Sequence, residues 1–220
     1  MSTIDLPEPD VKGTRRYRSQ TRAEQSRRTR DRVLDSAQRL FVESGYGSTT
    51  MRTVAADAGV SVETVYKAFD TKAGLVRAIR DRALLGEGAV PAERRSNDVR
   101  DREADPAQTI TAWSILQTEV MPLVAPILLV VRSAAEVDPD LAPLRDELDA
   151  DRLERMAGHA RRLFDRGQLR SDLSVEEARD VMFTYSSPEL YDLLVLRQGW
   201  PLDRYGGFVR DALTAALLGA

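Results

Sequence analysis

Cysteine is absent from the 220 residues, which excludes disulfides, thiol nucleophiles and cysteine-ligated zinc or iron–sulfur centres. Histidine occurs once, as His159; on a long charged helix it is expected at the surface or the core edge, not in a metal site. Long apolar runs are missing too. The longest, Leu123 to Val131, contains Pro126 and falls short of the ~18 residues of a membrane span, so no membrane association is expected. The first residues carry Asp5, Glu8 and Asp10, then arginines, with no apolar stretch of a secretory leader; a cytoplasmic location is the expectation. Phosphate-cradling glycine loops, nucleophile elbows and metal-ligand spacings do not occur. Adjacent acids such as Asp146/Glu147 and Glu176/Glu177 point apart on a helix and form no acid/base pair. Neither catalysis nor a bound cofactor is therefore expected.

What is present is an uneven charge. The whole chain has a net charge of −3, yet residues 1–82 carry 16 Lys+Arg against 11 Asp+Glu, and the remainder 16 against 24. A basic front joined to an acidic back is expected where only one end meets a polyanion. The front is most basic from Lys12 to Arg32, where nine basic residues face only Glu24 and Asp31. Residues 1–28 lack apolar periodicity after Val11 and read as a flexible basic arm, either a solvated tail or a segment that follows a DNA groove.

From Thr29 the pattern turns helical. Val33, Leu34, Ala37, Leu40 and Phe41 make one stripe, ended by Gly45. Ser48, Thr49 or Thr50 is placed to cap a short helix from Met51 to Ala58; Gly59 ends it, Ser61 caps Val62 to Phe69, and Thr71 opens a fourth helix. Residues 86–105 are polar, contain Gly86, Gly88 and Pro91, and read as a mobile loop. Helical patterns resume from Pro106, with a break or kink at Pro122, then to Arg166, from Ser174 to about Arg197, and from Asp203 to Leu218. No strand alternation occurs, so the expected fold is all-α: an arm over 1–28, a helix-turn-helix domain over 29–82, and a helical bundle over 83–220.

Two short capped helices hinged at Gly59-Val60-Ser61 are the pattern of a DNA-reading helix-turn-helix, with Ala55 and Ala58 small where helices must approach. The run FVESGYGSTTMRTVAADAGVSVETVYKAFDTKAGL, Phe41 to Leu75, resembles the signature of the tetracycline-repressor (TetR) family throughout and without gaps. That resemblance implies a dimeric regulator whose partners are a double-stranded DNA operator and a small-molecule effector. It places Arg52 at a base edge or phosphate, Thr64 in the groove with Val62 and Glu63 beside it, and Tyr66 and Lys72 on backbone phosphates; by their own chemistry Thr50 and Lys67 are further phosphate contacts. Glu63 is equally readable as a first-turn carboxylate favoured by the helix dipole, and Tyr66 as a packing residue. Ala68 stands where many members carry histidine, which removes one phosphate contact.

Taken singly, Trp113, Leu116, Met121, Ile127, Met156, Phe183 and Tyr185 read as core; for the bundle the resemblance implies an apolar effector cavity, assigned to these residues together. It also implies a homodimer through the last two helices, residues 175–197 and 203–218. Leu190, Leu193, Leu194, Leu196, Phe208, Val209, Leu213, Ala216 and Leu217 would supply its apolar surface. The competing reading is an α-helical adaptor or corepressor whose helix-turn-helix binds protein.

Overall fold

The computed structural model describes residues 11–86 and 88–218, and every regular element among them is helical. The first helix, α1 (Val11–Ser44), is longer than its apolar stripe requires. The arm expected over 1–28 is thus helical from Val11 onward, while residues 1–10 lie outside the described ones. Arginine, glutamine and alanine are good helix formers, and adding residues to a helix already fixed by Val33, Leu34 and Phe41 is inexpensive. From Ala23 to Arg28 the helix remains exposed.

Gly45 ends α1 with φ at +82°, and α2 (Met51–Ala58) follows. Its cap is Thr50: the hydroxyl accepts from the Thr53 N–H at 3.1 Å, and the Thr53 hydroxyl oxygen accepts from the Thr50 N–H at 2.9 Å. Thr49 is buried and donates instead to the carbonyls of Leu40 and Gly45. Gly59, at φ +65°, turns the chain into α3 (Val62–Phe69), capped by Ser61. Between α3 and α4 (Lys72–Leu85) the turn is tighter still. Asp70 has φ +62° and ψ −54°, and the Thr71 N–H reaches the Phe69 carbonyl at 2.6 Å, closing a three-residue turn.

The segment expected to be a mobile loop forms α5 (Ala92–Arg102). It buries only Ala92 of its own residues, so no apolar stripe announces it; side-chain contacts to its neighbours hold it. Arg95 grips Glu119 through two 2.7 Å bonds, and the Trp113 indole N–H donates to the Ser96 carbonyl. Of the break or kink expected at Pro122, the break does not occur: α6 (Pro106–Ala135) runs unbroken through Pro122 and Pro126. Packing of α4, α7 and α10 around it outweighs the ~3 kcal/mol an interior proline costs. By length and composition α6 could cross a membrane; here its apolar side chains serve two bundle cores.

A 3₁₀ turn (Pro139–Leu141) leads into α7 (Ala142–Asp165), which ends before Gly167. Ser174 and Glu177 form the expected capping box of α8 (Val175–Tyr185). That helix stops well before Arg197, because Pro188 follows and Ser187 caps a new turn, α9 (Pro188–Tyr191), continued by a π-helical segment (Asp192–Arg197). The last helix is α10 (Leu202–Leu217). On it, a Cβ at Gly206 would lie 2.6 Å from the Thr118 methyl, so α10 meets α6 at close range.

Two cores result. The first joins Val33, Leu34 and Phe41 to Val54, Val65, Leu75 and Ile79, and is closed from below by Ile127, Val131, Leu144 and Leu148 of α6 and α7. The second lies between α6, α7, α8 and α10 around Ile110, Met121, Ala160, Met182, Tyr205 and Val209. The floor of the helix-turn-helix is therefore made by the bundle.

Candidate nucleic-acid interface and ligand cavity

On α3, Val65 and Phe69 are buried while Glu63, Thr64, Tyr66 and Lys67 are exposed, Tyr66 at 52%. Val62 is half-buried against the first core. On the preceding helix Arg52 and Thr50 are exposed beside them. One polar ridge thus stands off an apolar base that cannot rotate without burying it. The Glu63 carboxyl is held below its ordinary range, first by its own backbone N–H and then by Ser61, so its helix-start role is realised. Lys72 donates to the Tyr46 carbonyl at 2.8 Å and lies 4.0 Å from that ring's centre; partial burial lowers its pKa. An ammonium has three donors, so this tether aims Lys72 while leaving donors for a phosphate.

Arg30 of α1 donates to the Ala68 carbonyl and stacks 4.5 Å from the centre of the Phe69 ring. The basic end of α1 is thereby fixed beside the end of α3. Arg39 pairs with Asp57 across α1 and α2.

Beneath this unit the bundle encloses a cavity of about 160 Å³. Four of the seven expected residues line it: Trp113, Leu116, Met121 and Met156. Three do not. Ile127 faces the other side of α6 and is buried in the first core. Phe183 lies under the Arg152 guanidinium at 3.7 Å, and Tyr185 packs towards Phe208 with ring centres 6.1 Å apart. The wall also holds residues the sequence expectation missed: Arg80 and Leu84 of α4, Ser96 of α5, and Arg145, Asp149, Arg152 and His159 of α7. With Met156 the α7 set recurs every three to four residues, which places it on one inward face. That spacing was a visible signal, masked by the polarity of its members.

His159 is fully buried, not at the surface or core edge. Its ring lies 4.3 Å from the Trp113 ring centre, and its Nε2 is 2.9 Å from the Ser96 hydroxyl. Burial, reinforced by Arg100 and Arg155, lowers its pKa to about 3. The ring is neutral at any ordinary pH and serves as a flat wall.

The expected dimer surface divides. Val209, Leu213 and Leu217 recur every four residues on α10 and point into their own core, so they cannot meet a second copy. Leu193, Leu196 and Phe208 remain exposed, together with Leu202, which the sequence expectation omitted. Leu190, Leu194 and Ala216 are half-buried, the first two against the second core.

Residues 33–79 match the family model described as bacterial regulatory proteins, tetR family. The HTH-type transcriptional regulator YvkB of Bacillus subtilis is 38% identical over 64 residues, which is 29% of this chain and 34% of that protein. The HTH-type transcriptional regulator TtgR of Pseudomonas putida is 27% identical over 168 residues, covering 74% of this chain and 78% of that one. Among solved structures, a SmeT–triclosan complex superposes with a TM-score of 0.68 at 21% identity, over 86% of this chain and 91% of the other, a likeness of fold. The gapless helix-turn-helix, the exposed ridge on α3 and the family-model match together place residues 33–79 in the tetR family of bacterial regulatory proteins.

Proposed function

We propose that the chain is a ligand-responsive repressor that binds a near-palindromic operator as a homodimer and is released by a small apolar or amphipathic effector. The observation that carries the reading is the division of α3, with Val65 at 0% exposure and Tyr66 next to it at 52%. Residues 29–82 read DNA and residues 83–220 sense and dimerise. Arg52, Glu63 and Thr64 face base edges; Thr50, Tyr66, Lys67 and Lys72 set register on phosphates. Leu193, Leu196, Leu202 and Phe208 meet a second copy, which sets two α3 helices about one DNA turn apart, ~34–36 Å.

Effector control follows from the floor of the helix-turn-helix. Val131 and Leu148 belong to the first core and also line the cavity, as does Arg80 from α4. An occupant that displaces them shifts α4, and with it the separation of the two α3 helices. Release requires the effector to favour that shifted state over the DNA-bound one.

Selection of bound duplexes from a random library tests the reading. The expected product is a near-palindrome with half-sites one turn apart, lost with Arg52→Ala and Tyr66→Ala. Absence of any enriched sequence would overturn it.

A further inference from the structure

The cavity is apolar along α6 and cationic along α7. Five guanidiniums line it, those of Arg80, Arg132, Arg145, Arg152 and Arg155, against two carboxylates, Glu93 and Asp149. Further acidic partners stand outside the wall, among them Asp81 beside Arg80 and Glu136 beside Arg145. Asp151, Glu189 and Asp146 pair with Arg80, Arg132 and Arg145, and their side chains are 47%, 43% and 66% exposed. The arginines of the wall thus outnumber its carboxylates, and the acids that compensate Arg80 and Arg145 are more exposed than the guanidiniums they bind, where water screens them.

Arg152 is the most enclosed of the five, with its side chain 11% exposed. It donates to the Phe183 carbonyl at 2.7 Å and reaches the Ser186 hydroxyl at 3.4 Å. Its carboxylate partner, Asp149, is 3.3 Å away and is already held by Arg132 at 2.7 and 2.9 Å. Desolvation lowers the Arg152 pKa in spite of Asp149 and the nearby Glu189. A buried cation sharing one carboxylate is incompletely compensated, and an anionic ligand group beside it recovers that loss.

Resting on the reading of this cavity as the effector site, we infer that the effector is an amphipathic anion. Its carboxylate-like group sits against Arg152 and Arg132, and its apolar body lies along Leu116, Val124 and Leu128. The Ser186 hydroxyl accepts from Arg152 and donates to the Phe183 carbonyl at 3.2 Å, so it helps to hold the guanidinium in place.

Calorimetric titration of the full chain with decanoate, decan-1-ol and decyltrimethylammonium, each below its micelle concentration, tests this without any operator. Decanoate is expected to bind at least roughly 10-fold tighter than the alcohol, and the cation weakest. In Arg152→Met the decanoate advantage disappears while alcohol affinity stays within about threefold; Arg152→Lys keeps part of the advantage. Alcohol or cation binding as tightly as decanoate in the wild type overturns the anion inference and leaves the cavity reading standing. Retention of the decanoate preference in a folded Arg152→Met protein overturns it as well. Failure of all three probes to bind removes the inference and the cavity reading together. Should Arg152→Met not fold, the wild-type ranking of the three head groups decides alone.

Discussion

Val65 and Tyr66 are sequence neighbours with opposite environments, and that contrast gives residue-scale changes separable effects. Tyr66→Phe removes one hydroxyl from an exposed ridge and leaves the core untouched. It should weaken operator binding roughly 10-fold, the loss of one hydrogen bond to a charged group, with an unchanged thermal midpoint. Fluorescence anisotropy with a labelled duplex, read beside a melting curve, checks both halves. Arg52→Ala should weaken binding similarly and also relax preference at one position of each half-site.

His159 gives a residue-scale prediction of another kind. Its pKa in the folded protein is about 3, well below the ordinary 6.5, so folded and unfolded chains hold the same neutral ring above pH 6.5. Below that pH the unfolded chain takes up a proton that the folded one refuses. Stability is then lost by about 1.4 kcal/mol per pH unit as pH falls towards 3. His159→Gln should flatten this slope between pH 6.5 and 4 relative to wild type; parallel slopes in urea titrations would contradict the burial-driven account.

At the scale of elements, the α3–α4 junction and α4 itself are where reading and sensing join. Gly74 sits in the first turn of α4, and a Cβ there would lie 2.0 Å from the Phe69 carbonyl oxygen. Gly74→Ala must therefore push α3 away from α4. It should lower both the melting temperature and operator affinity, where an ordinary exposed helix site would gain stability from alanine. Arg80 pairs with Asp151 at 2.8 Å while lining the cavity. Arg80→Ala should leave effector-free operator affinity within about threefold but blunt release by an added effector, measured as the shift in half-maximal DNA binding.

The same scale explains what could be read from the sequence. The bounds of α2 and α3 were legible because caps and glycines mark both ends: Gly59, Ser61 and Thr71 each perform the turning or capping role their chemistry suggests, while the choice of Thr50 over Ser48 and Thr49 needed the structure. Helix α5 was not legible, since its contacts run through Arg95, Ser96 and Glu93 to partners far along the chain, and no local stripe records them. Continuity of α6 through two prolines, and the halt of α8 at Tyr185, were decided by packing and by Pro188. The cavity was half legible: apolar residues of α6 were expected there, but Arg145, Asp149 and Arg152 were not, because charged side chains on a helix give no sign of facing inward until the bundle closes over them.

At the scale of the molecule, charge and symmetry work together. The basic end, with α1 fixed beside α3 by Arg30, faces a polyanion, while the acidic remainder of the chain is repelled by it. Each neutralised phosphate should contribute about −0.9 to the slope of log affinity against log salt. In the proposed dimer, two copies joined through Leu193, Leu196, Leu202 and Phe208 would double the number of such contacts. Analytical ultracentrifugation of the protein mixed with its selected duplex, at low and moderate salt, tests the whole arrangement at once. The account predicts two chains per duplex, binding that weakens steeply with salt, and loss of both dimer and DNA complex in Leu196→Glu/Phe208→Glu. A monomer that sediments apart from the duplex even at low salt would contradict it.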